Sequence, residues 1–349
     1  MTPRSPGAVT LLWALRSPCT LSCRYCYFGT VEEHRIAPVT APGTLSHLSR
    51  ADLPAEDVLA FARTMGGSFV RRVFLAGGEP LVWPAVFEVI EVLKQAGVQV
   101  VVCTNGIPLN RPDVVATLLS LGVDAVSISL DSADAPYNDA WRPSRNGKDG
   151  WQQVVSGIRA LIAARTADAF PRVGVYMVVT RQNIAAMAET ARLAANLGCD
   201  YFVPQPVALD RDHQLHQQLS MAVQDLPNLG DQFAALADAG LPLWMPAASY
   251  LEQVASTVRD PVGVVRGCFG GSDLFFVEPD GSVWDCPSSL RIAATPTSRR
   301  RTVRGASAAD VFAPLDGCND CPLFSVDCVN MWPLMDFDRL LLTPTENQS

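Results

Sequence analysis

The chain has 349 residues, 48% of them hydrophobic and 18% charged, with a net charge of −8 and a pI near 5.0. That is enough apolar material for one large core plus a smaller module and too much for a disordered chain, and it lacks the basic footprint of a nucleic-acid binder. No apolar run reaches the roughly 18 to 20 residues of a membrane span. The first apolar stretch leads into cysteines, with no small-residue cleavage site after it. A cytoplasmic location without nucleic-acid or membrane partners is therefore expected.

In chain order, a strand is predicted over 9–15, and a CX3CX2C run of Cys19, Cys23 and Cys26 follows on a loop. Three thiolates in eight residues cannot complete a tetrahedral zinc site alone. They can hold three irons of a four-iron, four-sulfur cube and leave the fourth iron open. A zinc knuckle with a distant fourth ligand is the alternative. A long Pro/Ser/Thr-rich loop follows, with His34 and His47 read as solvated.

Further strands are predicted over 72–75, 98–103, 125–130, 173–180 and 201–207, alternating with helices that start near proline and stop near glycine. The strands are continuous apolar runs, as expected when both faces are buried. Six β/α repeats imply a parallel sheet with ligands at the strands' C-terminal ends. An open barrel and a flat doubly wound sheet fit the pattern equally. The loop after the second strand is Ala76-Gly77-Gly78-Glu79-Pro80, where paired glycines allow close backbone approach and Glu79 could accept from an ammonium group. Thr104-Asn105-Gly106 and Ser129-Leu130-Asp131 follow the third and fourth strands. Cys103 and Cys199 read as buried, inert thiols. Residues 135–150 read as a second long loop and a candidate substrate contact through Tyr137, Asp139, Arg142 and Arg145.

Beyond about residue 210 the β/α rhythm fades. Two short strands around Pro279-Asp280-Gly281 predict a hairpin that brings Cys268 and Cys286 together. A linker over 295–304 carries Arg299, Arg300, Arg301 and Arg304, read as a solvated run. Cys318, Cys321 and Cys328 follow.

With Tyr25 at its aromatic position, the front run resembles the CX3CXΦC signature of the radical S-adenosylmethionine (SAM) superfamily. The resemblance implies an α/β fold, a partial (β/α)6 TIM-like barrel. It implies a [4Fe–4S] cluster on Cys19, Cys23 and Cys26 whose open iron takes SAM, and a 5′-deoxyadenosyl radical that abstracts hydrogen. It also implies cofactor contacts from Tyr25, Gly77, Gly78, Glu79, Asn105, Ser129 and Asp131, with the GGEP loop on the SAM amino group. Cys268-X12-Gly281-X4-Cys286 resembles the opening of the SPASM/Twitch extension, a small α+β domain for auxiliary clusters. The five rear thiols depart from the seven of a full SPASM set, so one auxiliary [4Fe–4S] cluster is expected, as in Twitch domains. Cys268, Cys286, Cys318 and Cys321 are the best four, and Cys328 could replace either of the last two; a structural zinc is the alternative. The implied division is 1–215 as core, 216–261 as helical connector and 262–349 as auxiliary-cluster domain.

The resemblance further implies an oxidoreductase or maturase that cross-links, epimerises or dehydrogenates a natural product, with a ribosomally made peptide favoured. The alternatives are a dehydrogenase or epimerase of a sugar or cyclitol in antibiotic biosynthesis, and a non-catalytic iron–sulfur or zinc protein. An electron donor such as flavodoxin or ferredoxin is expected. Because the thiol run begins at residue 19, no leader-binding module is expected ahead of it, so a peptide substrate would call for a separate leader-peptide-binding protein.

Overall fold

The computed structural model describes residues 8–26, 52–145, 147, 149–165, 170–209, 211, 213–260, 265–266, 268–313, 320–321 and 326–341. The first part of the chain gives β1 (Val9–Arg16), α1 (Ala55–Ala62), β2 (Val70–Gly77), α2 (Val86–Gln95), β3 (Gln99–Thr104), α3 (Pro112–Ser120), β4 (Ala125–Ser129), α4 (Ala135–Trp141), α5 (Gly150–Ala164), β5 (Arg172–Val179), α6 (Met187–Leu197) and β6 (Tyr201–Pro206). β1 to β6 pair in chain order, all parallel. The strands stand where the apolar runs predict them. Helix ends follow the predicted punctuation: α6 stops at Gly198, whose φ of 85° lies in the left-handed region that favours glycine.

Alternation along each strand sorts the core into two faces. Leu11, Trp13 and Leu15 of β1 pack with Phe61 of α1 and with the apolar stripes of the other helices, such as Val154, Val155, Ile158 and Leu161 of α5. Leu12, Ala14, Phe74, Val101, Tyr201 and Val203 point to the other face, which α1 to α6 do not cover. With α1 to α6 on one face only and, among the described residues, no pairing of β6 back to β1, the sheet is an open barrel and not a flat doubly wound sheet. Each fully buried aliphatic or aromatic side chain in these clusters contributes about 1.5–3 kcal/mol of transfer free energy.

Next come α7 (His216–Leu219), α8 (Leu226–Asp238) and α9 (Ala248–Arg259). Then come β7 (Val265–Arg266), β8 (Leu274–Val277), β9 (Ser282–Trp284), α10 (Ser289–Ala294), β10 (Arg301–Thr302), α11 (Ala308–Val311), β11 (Asp320–Cys321), α12 (Val326–Asn330), α13 (Trp332–Met335) and α14 (Asp338–Leu341). β8 and β9 form the expected hairpin, and β8 also runs parallel to β1, so the hairpin extends the core sheet. Met331, Leu334, Phe337 and Leu340 pack against the inner face. Phe337 meets Phe74 and Tyr201 edge-on at 5.1 and 5.5 Å, and buried Arg72 pairs with Asp338 to fix α14 against β2.

Two expectations need correction. Residues 135–141 are helix, because Asp134 accepts the Tyr137 N–H at 3.1 Å as an N-cap and Pro136 fits the first turn. The arginine run is not simply solvated. Arg301 pairs with Asp285 and lies over the Phe275 ring, Arg300 lies over Trp284, and Arg304 pairs with Asp57.

At the hairpin, Glu278 is buried. Burial, and then Asp280, push its pKa up to about 7, against the pull of Trp284 and Arg300. A carboxyl with a raised folded pKa contributes stability that is present at low pH and lost as pH rises through about 7. Glu278→Gln is therefore expected to raise Tm relative to the parent at pH 8, by about 1–3 kcal/mol of stability. The gain should fade towards pH 5, as read by calorimetry across that range.

Candidate functional site

Side chains on the inner face shrink toward the strands' C-terminal ends. Phe74 gives way to Ala76 and Gly77 on β2, Val101 to Cys103 on β3, and Ala125 to Ser127 and Ser129 on β4. The space left is a cavity of about 250 Å³. Cys19, Cys23, Cys26 and Tyr25 line it from the loop after β1, Gly77 and Gly78 from β2 and its loop, Asn105 from the loop after β3, and Ser129 from β4.

The cysteine loop is laced to its neighbours by backbone. Gly78 N–H donates to Arg16 O at 2.7 Å and Glu79 N–H to Pro18 O at 2.8 Å. A Cβ on Gly78 would stand 2.2 Å from Pro18 O and 2.4 Å from Ser17 O. The paired glycines thus let β2's loop approach the thiol loop itself, and the Gly78 and Glu79 amides are engaged there. On the other side Ser22 and Arg24 N–H groups donate to Pro143 O and Trp141 O, and Arg145 N–H to Thr20 O. Arg145 also donates from Nε to Leu21 O at 3.1 Å. The thiol of Cys19 accepts from Leu21 N–H at 3.5 Å and Asn105 Nδ2 at 3.6 Å.

Glu79 stands behind this wall, fully buried. Its Oε1 accepts from Thr104 Oγ1 at 2.8 Å and Leu81 N–H at 3.1 Å, and its Oε2 from Asn105 N–H at 2.7 Å. Burial pushes its pKa up to about 7 against those three donors. In this arrangement the carboxylate ties the loops after β2 and β3 together and so sets Asn105 at the cavity.

Asp131 plays the matching part on the far side. Its Oδ2 accepts from the Tyr25 hydroxyl at 2.8 Å and from Arg142 Nη1 at 3.0 Å, and its Oδ1 accepts from Val178 N–H at 2.8 Å. Burial works against the Arg142 charge, but Asp131, Cys23 and Tyr25 together more than offset it, and the guanidinium pKa is raised. Burial pushes Cys23 up to about 11, with Arg142 pulling the other way.

Of the predicted cofactor contacts, Tyr25, Gly77, Gly78, Asn105 and Ser129 meet at the cavity; Glu79 and Asp131 are placed as struts behind it. Of the four polar residues in 135–150, Arg142 lines the cavity. Tyr137 bonds Thr180 at 3.1 Å and Asp139 accepts Trp151 N–H at 2.7 Å. Cys103, Tyr176, Gln205 and Asn330 also line it, and sequence reasoning did not place them there. Period-2 alternation could have put Cys103 on the small-residue face; Asn330 had no such signal.

The rear thiols gather as well. A Cβ on Gly270 would lie 3.1 Å from Cys286 Cβ and 3.4 Å from Cys268 Sγ, so those two cysteines are neighbours. Cys321 pairs across β11 and β7 with Val265. The Cys286 thiol is raised well above its ordinary pKa by burial, and after that by Cys328, Cys268 and Cys321, which places all four within electrostatic reach. Cys318 lies outside the described residues. Among the described residues no three His, Cys, Asp or Glu side chains are drawn in tightly enough to hold a single ion.

The sequence profile of the Radical SAM superfamily matches residues 18–194, just over half of the chain. The chain belongs to the radical SAM superfamily. It is 26% identical over 282 residues to mycofactocin maturase MftC of Mycobacterium ulcerans, covering 81% of this chain and 69% of that one. It is 25% identical over 291 residues to an AdoMet-dependent heme synthase of Methanosarcina barkeri, covering 79% and 76%. The crystal structure of Streptococcus suis SuiB bound to S-adenosylmethionine shares the fold, with a TM-score of 0.63 at 14% identity over 89% of this chain. This chain spans 66% of that SuiB chain's length. The partial barrel expected from the motif is thus the fold of the radical SAM family.

Membership makes the protein an enzyme that uses SAM and a [4Fe–4S] cluster. The residues present fit both. Three soft thiols stand on one loop at the mouth of a cavity, and the guanidinium of Arg142 with the polar groups of Asn105 and Ser129 can meet a carboxylate and a ribose. Among the described residues no helix is long and apolar enough to cross a membrane.

Proposed function

We propose that this radical SAM enzyme modifies a ribosomally made peptide, by oxidative cross-linking or dehydrogenation or by redox-neutral epimerisation. We further propose that it holds an auxiliary [4Fe–4S] cluster on Cys268, Cys286, Cys318 and Cys321, with Cys328 able to replace either of the last two. The observation that carries this reading is one cavity with the radical SAM thiols at its mouth and, in its wall, the end of α12, the helix that bears Cys328. Likeness to a maturase over four-fifths of the chain supports the peptide.

When bound, the cluster and SAM supply one-electron cleavage of the sulfonium and a carbon radical that takes a hydrogen atom from the substrate. The chain's own residues do the rest. Cys19, Cys23 and Cys26 would bind the cluster. Gly77, Gly78, Asn105 and Ser129 would orient SAM, with Arg142 toward its carboxylate. Leu12, Val178, Val207, Met331 and Leu334 exclude water from the reacting end. A flavodoxin or ferredoxin would supply the electron, and a separate leader-binding chain would present the peptide.

Anaerobic reconstitution should load about eight irons per chain, and a Cys19→Ala/Cys23→Ala/Cys26→Ala variant about four. One cluster's worth in the parent would remove the auxiliary site. The parent, reduced with dithionite in the presence of SAM, should release 5′-deoxyadenosine. Co-expression with short peptides encoded beside the gene should yield a peptide that has lost two hydrogens, or that carries solvent deuterium at an α-carbon. Turnover of a sugar or cyclitol with every such peptide unmodified would overturn the peptide assignment.

A further inference from the structure

Outside the cavity, the thiol loop has a further attachment at its upstream end. The chain leaves β1 at Arg16 and reaches Cys19 through Ser17 and Pro18 alone. The proline ring locks φ, so the placement of Ser17 passes to Cys19 through one stiff residue. Asp52, which does not line the cavity, holds both Arg16 and Ser17. Its Oδ1 accepts from Ser17 Oγ at 2.7 Å, and its Oδ2 accepts from Ser17 N–H at 3.2 Å. The same Oδ2 lies 3.1 Å from Arg16 Nε, and the Asp52 side chain is only 11% exposed, so solvent screens the pair little. The neighbouring residue anchors this carboxylate. Leu53 is buried; its N–H donates to Pro279 O at 2.7 Å, and its carbonyl accepts from Arg16 Nη1 at 3.1 Å. A Cβ on Gly281 would stand 2.9 Å from Leu53 Cδ1, so Leu53 is seated closely against the β8–β9 turn. The Arg16 guanidinium is also stacked 5.3 Å over the Trp83 ring.

We infer that Asp52 is a positioning residue for SAM cleavage: it fixes Arg16 and Ser17 against the β8–β9 turn and so sets where Cys19 presents its thiol. Asp131 grips the downstream end of the same loop through Tyr25. Cys19 and Cys23 therefore stand between two carboxylate clamps. The inference does not depend on the peptide reading, because SAM cleavage comes before any substrate is attacked. Removing the Asp52 carboxylate leaves the barrel core untouched, and the Ser17 and Arg16 donors lie near enough to the surface to turn to water. What is lost is the single placement of the loop, and small misplacements of reacting groups cost rate steeply.

The test compares the reconstituted parent with Asp52→Ala, Asp52→Asn, Ser17→Ala and the double variant Asp52→Ala/Ser17→Ala. Four quantities are read: iron content, Tm, the rate of 5′-deoxyadenosine release at saturating SAM, and the electron paramagnetic resonance spectrum of the reduced protein with SAM. Asp52→Ala should keep the parent's iron and lose less than about 3 °C in Tm. It should nevertheless release 5′-deoxyadenosine about tenfold more slowly, and its SAM-shifted signal should broaden. Asp52→Asn keeps a carbonyl that can accept from Ser17 and should recover most of the rate and the line shape. Ser17→Ala should slow release by a smaller factor, and the double variant should be no slower than Asp52→Ala, because both changes remove the same bond. A parent-like rate and spectrum in Asp52→Ala would overturn the inference. So would losses that multiply in the double variant, which would make the two residues independent. Equal slowing in Asp52→Ala and Asp52→Asn, with a matching fall in Tm and iron, would give Asp52 a purely structural part and overturn it too.

Discussion

Replacing Gly78 with alanine is expected to abolish SAM cleavage while leaving the barrel folded. The new Cβ would sit 2.2 Å from the Pro18 carbonyl oxygen and 2.4 Å from that of Ser17. Both are backbone atoms that cannot swing aside, so the cysteine loop must move away from β2. The Gly78 N–H to Arg16 O and Glu79 N–H to Pro18 O bonds break together. Overpacking costs about 1–3 kcal/mol, which a domain of this size survives. The thiols, however, lose the positions from which they converge. Release of 5′-deoxyadenosine should fall roughly a hundredfold or more, the equivalent of about 3 kcal/mol in the barrier. Iron should drop by about one cluster, that is, about four irons per chain. Gly66→Ala is the control, because its Cβ would meet only the Ala96 Cβ at 3.8 Å, an ordinary contact. A loaded, active Gly78→Ala enzyme would show that the loops do not depend on this approach.

The second large effect lies at Asp131. Removing it with Asp131→Ala strands the buried Arg142 guanidinium, the Tyr25 hydroxyl and the Val178 N–H at once. Breaking a buried ion pair from one side costs about 3–5 kcal/mol, because the remaining charge has neither water nor partner. Tm should fall by roughly 5–10 °C. The double variant Asp131→Ala/Arg142→Met removes the stranded charge and should recover most of that loss. It should not recover SAM binding, since the cavity's cation is gone. Equal Tm values for the single and double variants would mean that the pair is not what holds Tyr25 and the cysteine loop.

Much of this architecture is legible in the sequence, for identifiable reasons. Strands buried on both faces must be apolar throughout, so Val-rich runs marked β1 and β3 to β6 to within one residue at each end, and the middle four residues of β2. The β8–β9 hairpin shows itself in the Pro279-Asp280-Gly281 turn, and the thiol run in its own spacing. What stayed hidden is the direction in which side chains point. Glu79 and Asp131 each follow a strand end, as a ligand-binding carboxylate would, yet both turn inward to tie loops together. Spacing cannot separate those outcomes, because both place an acid at the same position. Pairing of β8 with β1 joins residues more than 250 positions apart and leaves no local mark. Helix α4 was missed because its cap, Asp134, is also a common turn residue. Asn330 carries no motif; only the fold of α12 against β6 brings it to the cavity.

The electron paramagnetic resonance spectrum of the dithionite-reduced protein, recorded before and after adding SAM, bears most directly on the site. If Cys19, Cys23 and Cys26 leave one iron free, SAM will shift the g-values of one [4Fe–4S]+ signal. That signal will be missing from the Cys19→Ala/Cys23→Ala/Cys26→Ala variant, whose remaining cluster signal ignores SAM. A parent spectrum that SAM leaves unchanged would contradict the assignment of the cavity.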